Sequence, residues 1–93
     1  MTIARHLAIF GRVQGVFYRG WAVKNADELG LVGWVRNRHD GSVEAVVQGD
    51  EDAIESFIAR ARNGPTSARV ESVEVHEIAM DDQLAKFVQK PTA

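Results

Sequence analysis

Cysteine is absent from the sequence. Disulfides, thiolate metal sites and a cysteine nucleophile are therefore excluded together. No apolar run approaches membrane-spanning length, and the N-terminal Met1-Thr2-Ile3-Ala4-Arg5-His6 lacks the apolar stretch of a secretory signal. Cytoplasmic residence, with no membrane partner, is the expectation. A basic excess is missing too: 11 lysines and arginines face 13 aspartates and glutamates, a net charge of −2. That balance argues against a general binder of nucleic acid or membrane surfaces. The three histidines, His6, His39 and His76, lack the spacing of metal ligands, so no metal site is expected. No internal repeat, linker or low-complexity tract interrupts the chain.

What is present is ordinary globular material, 45% hydrophobic and 26% charged. A chain of 93 residues is expected to form one domain spanning 1–93. Folding at this size buries roughly 60–65% of the unfolded surface, enough for one sheet covered by helices.

Residues 4–13 alternate, with Leu7, Ile9 and Val13 on one side and His6, Ala8 and Arg12 on the other, the pattern of a strand covered on one face. Gly11 and Gly15 punctuate a loop. From Tyr18 to Leu29 the period becomes helical, with Tyr18, Ala22, Ala26 and Leu29 on one face and Gly30 as the stop. Leu31 to Asn37 reads as a second strand, Asp40-Gly41 as a hairpin turn, and Ser42 to Gln48 as a third strand ended by Gly49. Asp50 suits the N-cap of a second helix, with Glu51 and Asp52 in its first turn. Ile54, Phe57, Ile58 and Ala61 form that helix's apolar stripe, and Gly64-Pro65 breaks it. Val70, Val73, Val75 and Ile78 mark a fourth strand whose change of parity suggests a bulge. Phe87-Val88 could add a short fifth strand.

The order βαββαβ, joined by right-handed crossovers, predicts an α+β ferredoxin-like sandwich: an antiparallel sheet in the order 4-1-3-2 with two helices on one face. Such a topology brings the C-terminal ends of the first two strands to the same sheet edge.

The chemistry concentrates at that edge. In Gly11-Arg12-Val13-Gln14-Gly15-Val16-Phe17-Tyr18-Arg19, glycines let successive backbone N–H groups converge on an anion. The following helix points its positive end at the same place. Arg19 offers a planar fork of donors to a phosphate. A purely structural strand-to-helix turn uses glycines as well, so both readings stand. Asn37, at the end of the second strand, has an amide that can orient a water without titrating. Taken alone, opening the hairpin is the simpler role for Asn37.

Gly11-x-Val13-Gln14-Gly15-Val16-x-Tyr18-Arg19 resembles the signature of the acylphosphatase family, and Leu29-Gly30-Leu31-Val32-Gly33-Trp34-Val35-Arg36-Asn37 is similar to its second signature. Asp40-Gly41-Ser42-Val43-Glu44-Ala45 and Gly64-Pro65 extend the likeness over nearly the whole chain. The resemblance implies the ferredoxin-like fold and hydrolysis of acyl phosphates to a carboxylate and inorganic phosphate, with no cofactor. It implies that Arg19 binds phosphate and Asn37 orients water. It also implies that the amides of Gln14, Gly15, Val16, Phe17 and Tyr18 cradle the phosphoryl group, while a substrate oxygen takes the water's proton. Tyr18 stands where phenylalanine is common, a change expected to matter little. The implied partners are a small acyl phosphate and inorganic phosphate, the latter as product and competitive inhibitor, acting on a monomer.

The remaining candidates have plainer readings. His6, His39 and His76 lie outside both signatures and read as surface or structural. Asp50-Glu51-Asp52 reads as helix N-terminal charge, and Met80-Asp81-Asp82 as a solvated loop. Trp21 and Trp34 could pack in the core or flank the site mouth, and core packing, at least partial, is the expectation for both. An RNA-binding module of this fold would need stacking aromatics and basic residues on the open sheet face, where Phe10 has few companions. An acylphosphatase-like domain of a larger carbamoyl-transfer protein would begin a long chain with cysteine-rich segments. The end at Ala93 makes a free-standing enzyme the expectation.

Overall fold

A computed structural model describes all of residues 1–93. Its elements are β1 (Thr2–Arg12), α1 (Tyr18–Glu28), β2 (Val32–Asn37), β3 (Val43–Asp50), α2 (Glu51–Ala61), β4 (Arg69–Ile78) and β5 (Phe87–Gln89). The strands make one sheet in the order β4-β1-β3-β2-β5. This is the ferredoxin-like βαββαβ arrangement with its 4-1-3-2 order, extended by the fifth strand. The sheet is mixed rather than wholly antiparallel. β5 lies along β2 in the parallel sense, with Gly33 opposite Phe87 and Val35 opposite Gln89. The cause is the path of the chain after β4. Asp81 N–H donates to the Gln48 side-chain oxygen at 2.8 Å, and Gln48 Nε2 donates back to the Asp81 carbonyl at 3.1 Å. The connection thus crosses at the sheet end where β2 begins, and β5 must start there too.

Strand ends differ from the expectation by one or two residues. β1 starts at Thr2 and β3 runs through Gly49 to Asp50, because Thr2 pairs with Asp50 and Ile3 with Gly49. The bulge is real: Phe10 faces Ser72 and Gly11 faces Val70, leaving Glu71 of β4 as the extra residue. Gly11 permits it, since a Cβ there would stand 2.1 Å from the Arg69 carbonyl oxygen.

Both helices cover one face, α1 over β2 and β5, α2 over β3 and β1. Leu7, Ile9, Val35, Ala45 and Val47 from the sheet meet Ala22, Ala26, Ile54, Phe57 and Ala61 from the helices in one buried cluster. Phe87 anchors β5 against Phe57, ring centroids 6.1 Å apart. α1 ends as its sequence proposes: Gly30 takes φ 70°, its N–H donates to Asp27, and Leu31 N–H donates to Ala26. Asp50 does occupy the N-cap of α2, yet its side chain caps nothing there. It faces the N-terminal ammonium at 3.4 Å instead.

Trp21 packs on the core beside Tyr18. Trp34 does not. It alternates with buried Gly33 and Val35, so strand parity sends it to the open face of the sheet. There the Arg36 guanidinium and the Lys90 ammonium lie 4.8 and 4.6 Å from its ring centroid. On the same face Glu44 takes hydrogen bonds from His6 and Arg36, each 2.7 Å. Burial alone would raise the Glu44 carboxyl, but the His6 and Arg36 contacts outweigh it and hold it below the usual range.

Candidate active site

β1 is an inner strand, paired on both sides, and it delivers the chain into the loop at Val13, whose side chain is fully buried. Two residues then turn the loop. Gly15 adopts φ 73° with nothing within 4 Å of a notional Cβ, so it faces open space. Phe17 adopts φ 67° and ψ 25° at the N-cap of α1, the one non-glycine residue of the chain with positive φ. A bulky side chain in this left-handed conformation costs about 1–2 kcal/mol. Such a cost persists where the surroundings impose it.

The result is a row of unengaged donors. The N–H groups of Gly15, Val16 and Phe17 have no acceptor in the protein, and the first backbone bond of α1 runs from Trp21 N–H to the Phe17 carbonyl at 3.1 Å. The amides of Tyr18, Arg19 and Gly20 are therefore the orphan donors every helix start leaves open. No side chain caps them. Partial positive charge from α1 adds to the same spot. Arg19 stands in the first turn, partly buried, and takes no part in any ion pair of the chain.

Asn37 reaches the site from β2. Its backbone pairs with Val43 on one side. On the other side the Asn37 carbonyl accepts from Ala93 N–H, and His39 N–H donates to the Ala93 carbonyl, each at 3.0 Å. A backbone held from both edges fixes where the side chain points. The Asn37 amide oxygen is buried and has no hydrogen-bond partner, the one such side-chain atom in the chain. A buried orphan acceptor costs about 1–3 kcal/mol, so it marks either strain or a missing ligand.

A cavity of about 190 Å³ joins these groups, lined by Val13, Gly15, Phe17, Tyr18, Arg19, Gly20, Asn37 and Gln89. Arg19 and Asn37 are thus brought together, with Gly15, Phe17 and Tyr18 around them. Gln14 and Val16 are not among the lining residues. The Gln14 side chain instead donates to the Arg38 carbonyl at 2.7 Å and the Ser42 carbonyl at 2.8 Å, clasping the neck of the β2–β3 hairpin to the loop. The Tyr18 ring is buried, and its hydroxyl donates to the Ala61 carbonyl at 2.6 Å. Burial pushes this phenol well above its ordinary pKa. None of the three histidines lines the cavity.

Sequence reasoning missed Gln89 and Gly20. Gln89 arrives through the parallel pairing of β5, which no local pattern announces. Gly20 did leave a signal, since glycine inside a helix is disfavoured by about 1 kcal/mol and calls for a packing reason. That reason is the Phe17 ring, whose Cε1 and Cζ lie 2.4 and 2.5 Å from where a Cβ of residue 20 would stand.

The acylphosphatase family model matches residues 5–89. The chain belongs to the acylphosphatase family. It is 54% identical over 84 residues to the acylphosphatase of Rhodospirillum rubrum, covering 90% of this chain and 91% of that one. With the acylphosphatase of Rhizorhabdus wittichii it shares 52% identity over 91 residues, covering 97% of this chain and 90% of the other. The crystal structure of acylphosphatase from Bacillus subtilis superimposes with a TM-score of 0.91 at 34% identity, covering 97% and 99% of the two chains. This acylphosphatase-family chain has no helix long and apolar enough to cross a membrane.

Proposed function

We propose that this site hydrolyses acyl phosphates by holding the phosphoryl group on Arg19 and the loop amides while Asn37 aims the attacking water. As a member of the acylphosphatase family the chain is an acid-anhydride hydrolase whose substrates are small acyl phosphates. The observation that carries the residue-level reading is the orphaned, buried Asn37 oxygen, in one cavity with Arg19 and the open-turned Gly15. An acceptor without a donor beside donors without an acceptor fits a water and an anion side by side.

The reaction asks little of the protein beyond placement. An acyl phosphate carries a good leaving group, a carboxylate, so positioning and charge stabilisation are the main demands. The N–H groups from Gly15 to Tyr18, with the Gln14 amide at the loop's entry, and the Arg19 fork hold the phosphoryl oxygens. The Asn37 oxygen accepts one hydrogen of the water and directs its lone pair at phosphorus. The new P–O bond forms as the bond to the acyl oxygen breaks. The carboxylate departs, and a phosphoryl oxygen takes the water's proton. No residue that titrates near neutrality lines the cavity, which supports substrate-assisted proton transfer. Inorganic phosphate, the product, fits the same cradle and so competes with substrate. We assign the whole span 1–93 to one such domain acting as a cytoplasmic monomer.

The direct test is phosphate release from acetyl phosphate by the purified chain, with and without a strong chelator. Turnover well above spontaneous hydrolysis in both samples is expected. No release above background overturns the assignment.

A further inference from the structure

The phosphoryl cradle explains every polar group of the cavity except Gln89, and it leaves one large apolar side chain without a role. Phe17 is 75% exposed although it lines the same cavity as Arg19 and Asn37. A phenyl ring this far out of the core is uncommon, and here it rests against the first turn of α1. Its backbone is locked left-handed at the helix start. Its ring edge occupies the space that the missing side chain of Gly20 leaves, 2.4 Å from a notional Cβ there. Gly20 thus sacrifices helix propensity in the first turn so that the ring can lie against α1. The ring's remaining surface faces solvent at the mouth of the cavity.

We propose that the exposed face of Phe17 is the platform for the acyl half of the substrate, making the site selective for acyl phosphates with a flat aromatic or extended apolar acyl group. The inference rests on the phosphoryl cradle proposed above. With phosphorus held by amides at the base of the cavity, the leaving carboxylate and its substituent extend towards the mouth, past residue 17. A small acyl group such as acetyl is too short to cover the ring, whereas a benzoyl group is long enough to stack on it. Aromatic contacts of this kind contribute a modest but measurable preference. Gln89, exposed on β5 and lining the same cavity, supplies a polar wall suited to the carbonyl oxygen.

The test is the ratio of kcat/KM for benzoyl phosphate to that for acetyl phosphate, two anhydrides whose leaving carboxylates are alike. Phe17→Ala should lower this ratio about fivefold, through KM for benzoyl phosphate, while Phe17→Tyr keeps the wild-type ratio. Gly20→Ala provides an independent arm. It evicts the ring without touching residue 17, and because the clashing atoms are the tip of a side chain the helix can accept it. The same fall in ratio is expected. An unchanged ratio in Phe17→Ala or Gly20→Ala overturns the platform even if both substrates are hydrolysed. Failure of the wild-type chain to hydrolyse either substrate overturns the cradle itself, so the two failures are distinct.

Discussion

Tyr18 and Ala61 join the start of one helix to the end of the other through a buried hydrogen bond of 2.6 Å from the phenol to the carbonyl. Ala61 is the last residue of α2, so its carbonyl is one of the acceptors a helix end leaves unused. Tyr18→Phe leaves that acceptor buried and unpaired. The urea midpoint should fall by the equivalent of about 1–3 kcal/mol. The phenol's raised pKa gives this a pH signature. A neutral form favoured by folding contributes stability that is full below the unfolded value of ~10 and is lost as pH rises through the folded value. The gap between wild type and Tyr18→Phe should therefore close above about pH 10. Because Tyr18 is the chain's one tyrosine, the tyrosinate absorption band should appear only as the protein unfolds. A band that develops at ordinary pH in the folded state would contradict the burial argument.

Gln14 sits in the stretch that resembles the first acylphosphatase signature, yet its side chain bridges two hairpin carbonyls rather than facing the cavity. Gln14→Ala removes both bridges at once. The loop loses its tie to the strand that carries Asn37, and the two groups drift out of register. We expect about 1–3 kcal/mol of lost stability together with a higher inhibition constant for inorganic phosphate. Gln14→Glu should be worse, since a carboxylate offers no donor to either carbonyl. Phosphate inhibition measured alongside urea unfolding checks both halves.

Arg19 and Asn37 should separate kinetically. In the mechanism proposed above, Arg19→Ala removes a contact made to the anion in both ground and transition states. Its rate should fall by ~10²–10³, and the inhibition constant of inorganic phosphate should rise with it. Asn37→Ala should act on kcat and leave phosphate affinity nearly intact. It also deletes an unpaired buried oxygen, so it should cost the fold no stability and can raise the melting temperature. Equal loss of phosphate affinity in the two variants would dissolve the division of labour.

On the open face, the Glu44 carboxyl is held low by His6 and Arg36 in spite of its burial. A depressed folded pKa contributes stability that is present above the unfolded value and lost as pH falls through the folded one. Wild type should therefore be more stable than Glu44→Gln at neutral pH, with the difference vanishing as pH drops below about 4, past the ordinary carboxyl range. Activity profiles between about pH 5.5 and 7.5 should keep their shape in His6→Gln, His39→Gln and His76→Gln combined. None of these rings lines the cavity, and an imidazole base would reveal itself in that window. Thermal melts across the acid limb and kcat profiles of the folded triple variant test the two statements separately.

The sequence was readable wherever a feature depends on near neighbours. Alternation of Leu7 and Ile9, the helical stripe of Ile54, Phe57 and Ala61, and the Gly30 stop each repeat within a few positions, and each stands where expected. The meeting of Arg19 and Asn37 at one sheet edge was legible in the topology, but the roles expected of them came from the resemblance to the acylphosphatase signatures, since the residues alone left both open. What escaped notice depends on partners far along the chain. Gln14 finds its acceptors 24 and 28 residues away, and Gln89 reaches the cavity only because β5 enters parallel to β2. Trp34, expected at least partly in the core, is turned outwards by strand parity, between buried Gly33 and Val35. The Phe17 conformation was hidden because a left-handed phenylalanine is imposed by its surroundings, not chosen by its own preferences.

The placement of β1 has a consequence for how the protein acquires its site. β1 pairs with β3, Ile9 opposite Val43, and with β4, Ile9 opposite Val73. The strand that launches the loop therefore waits for partners about a third and two-thirds of the chain length away. Non-local pairing of this kind slows folding, because a long loop must close before any contact rewards it. The loop hangs from β1 and is clasped to the β2–β3 hairpin by Gln14, so catalytic competence should emerge in the slowest cooperative phase of refolding rather than ahead of it. Substitutions that weaken the β1–β4 seam, such as Val73→Ala, should then delay the return of activity and of native fluorescence by the same factor.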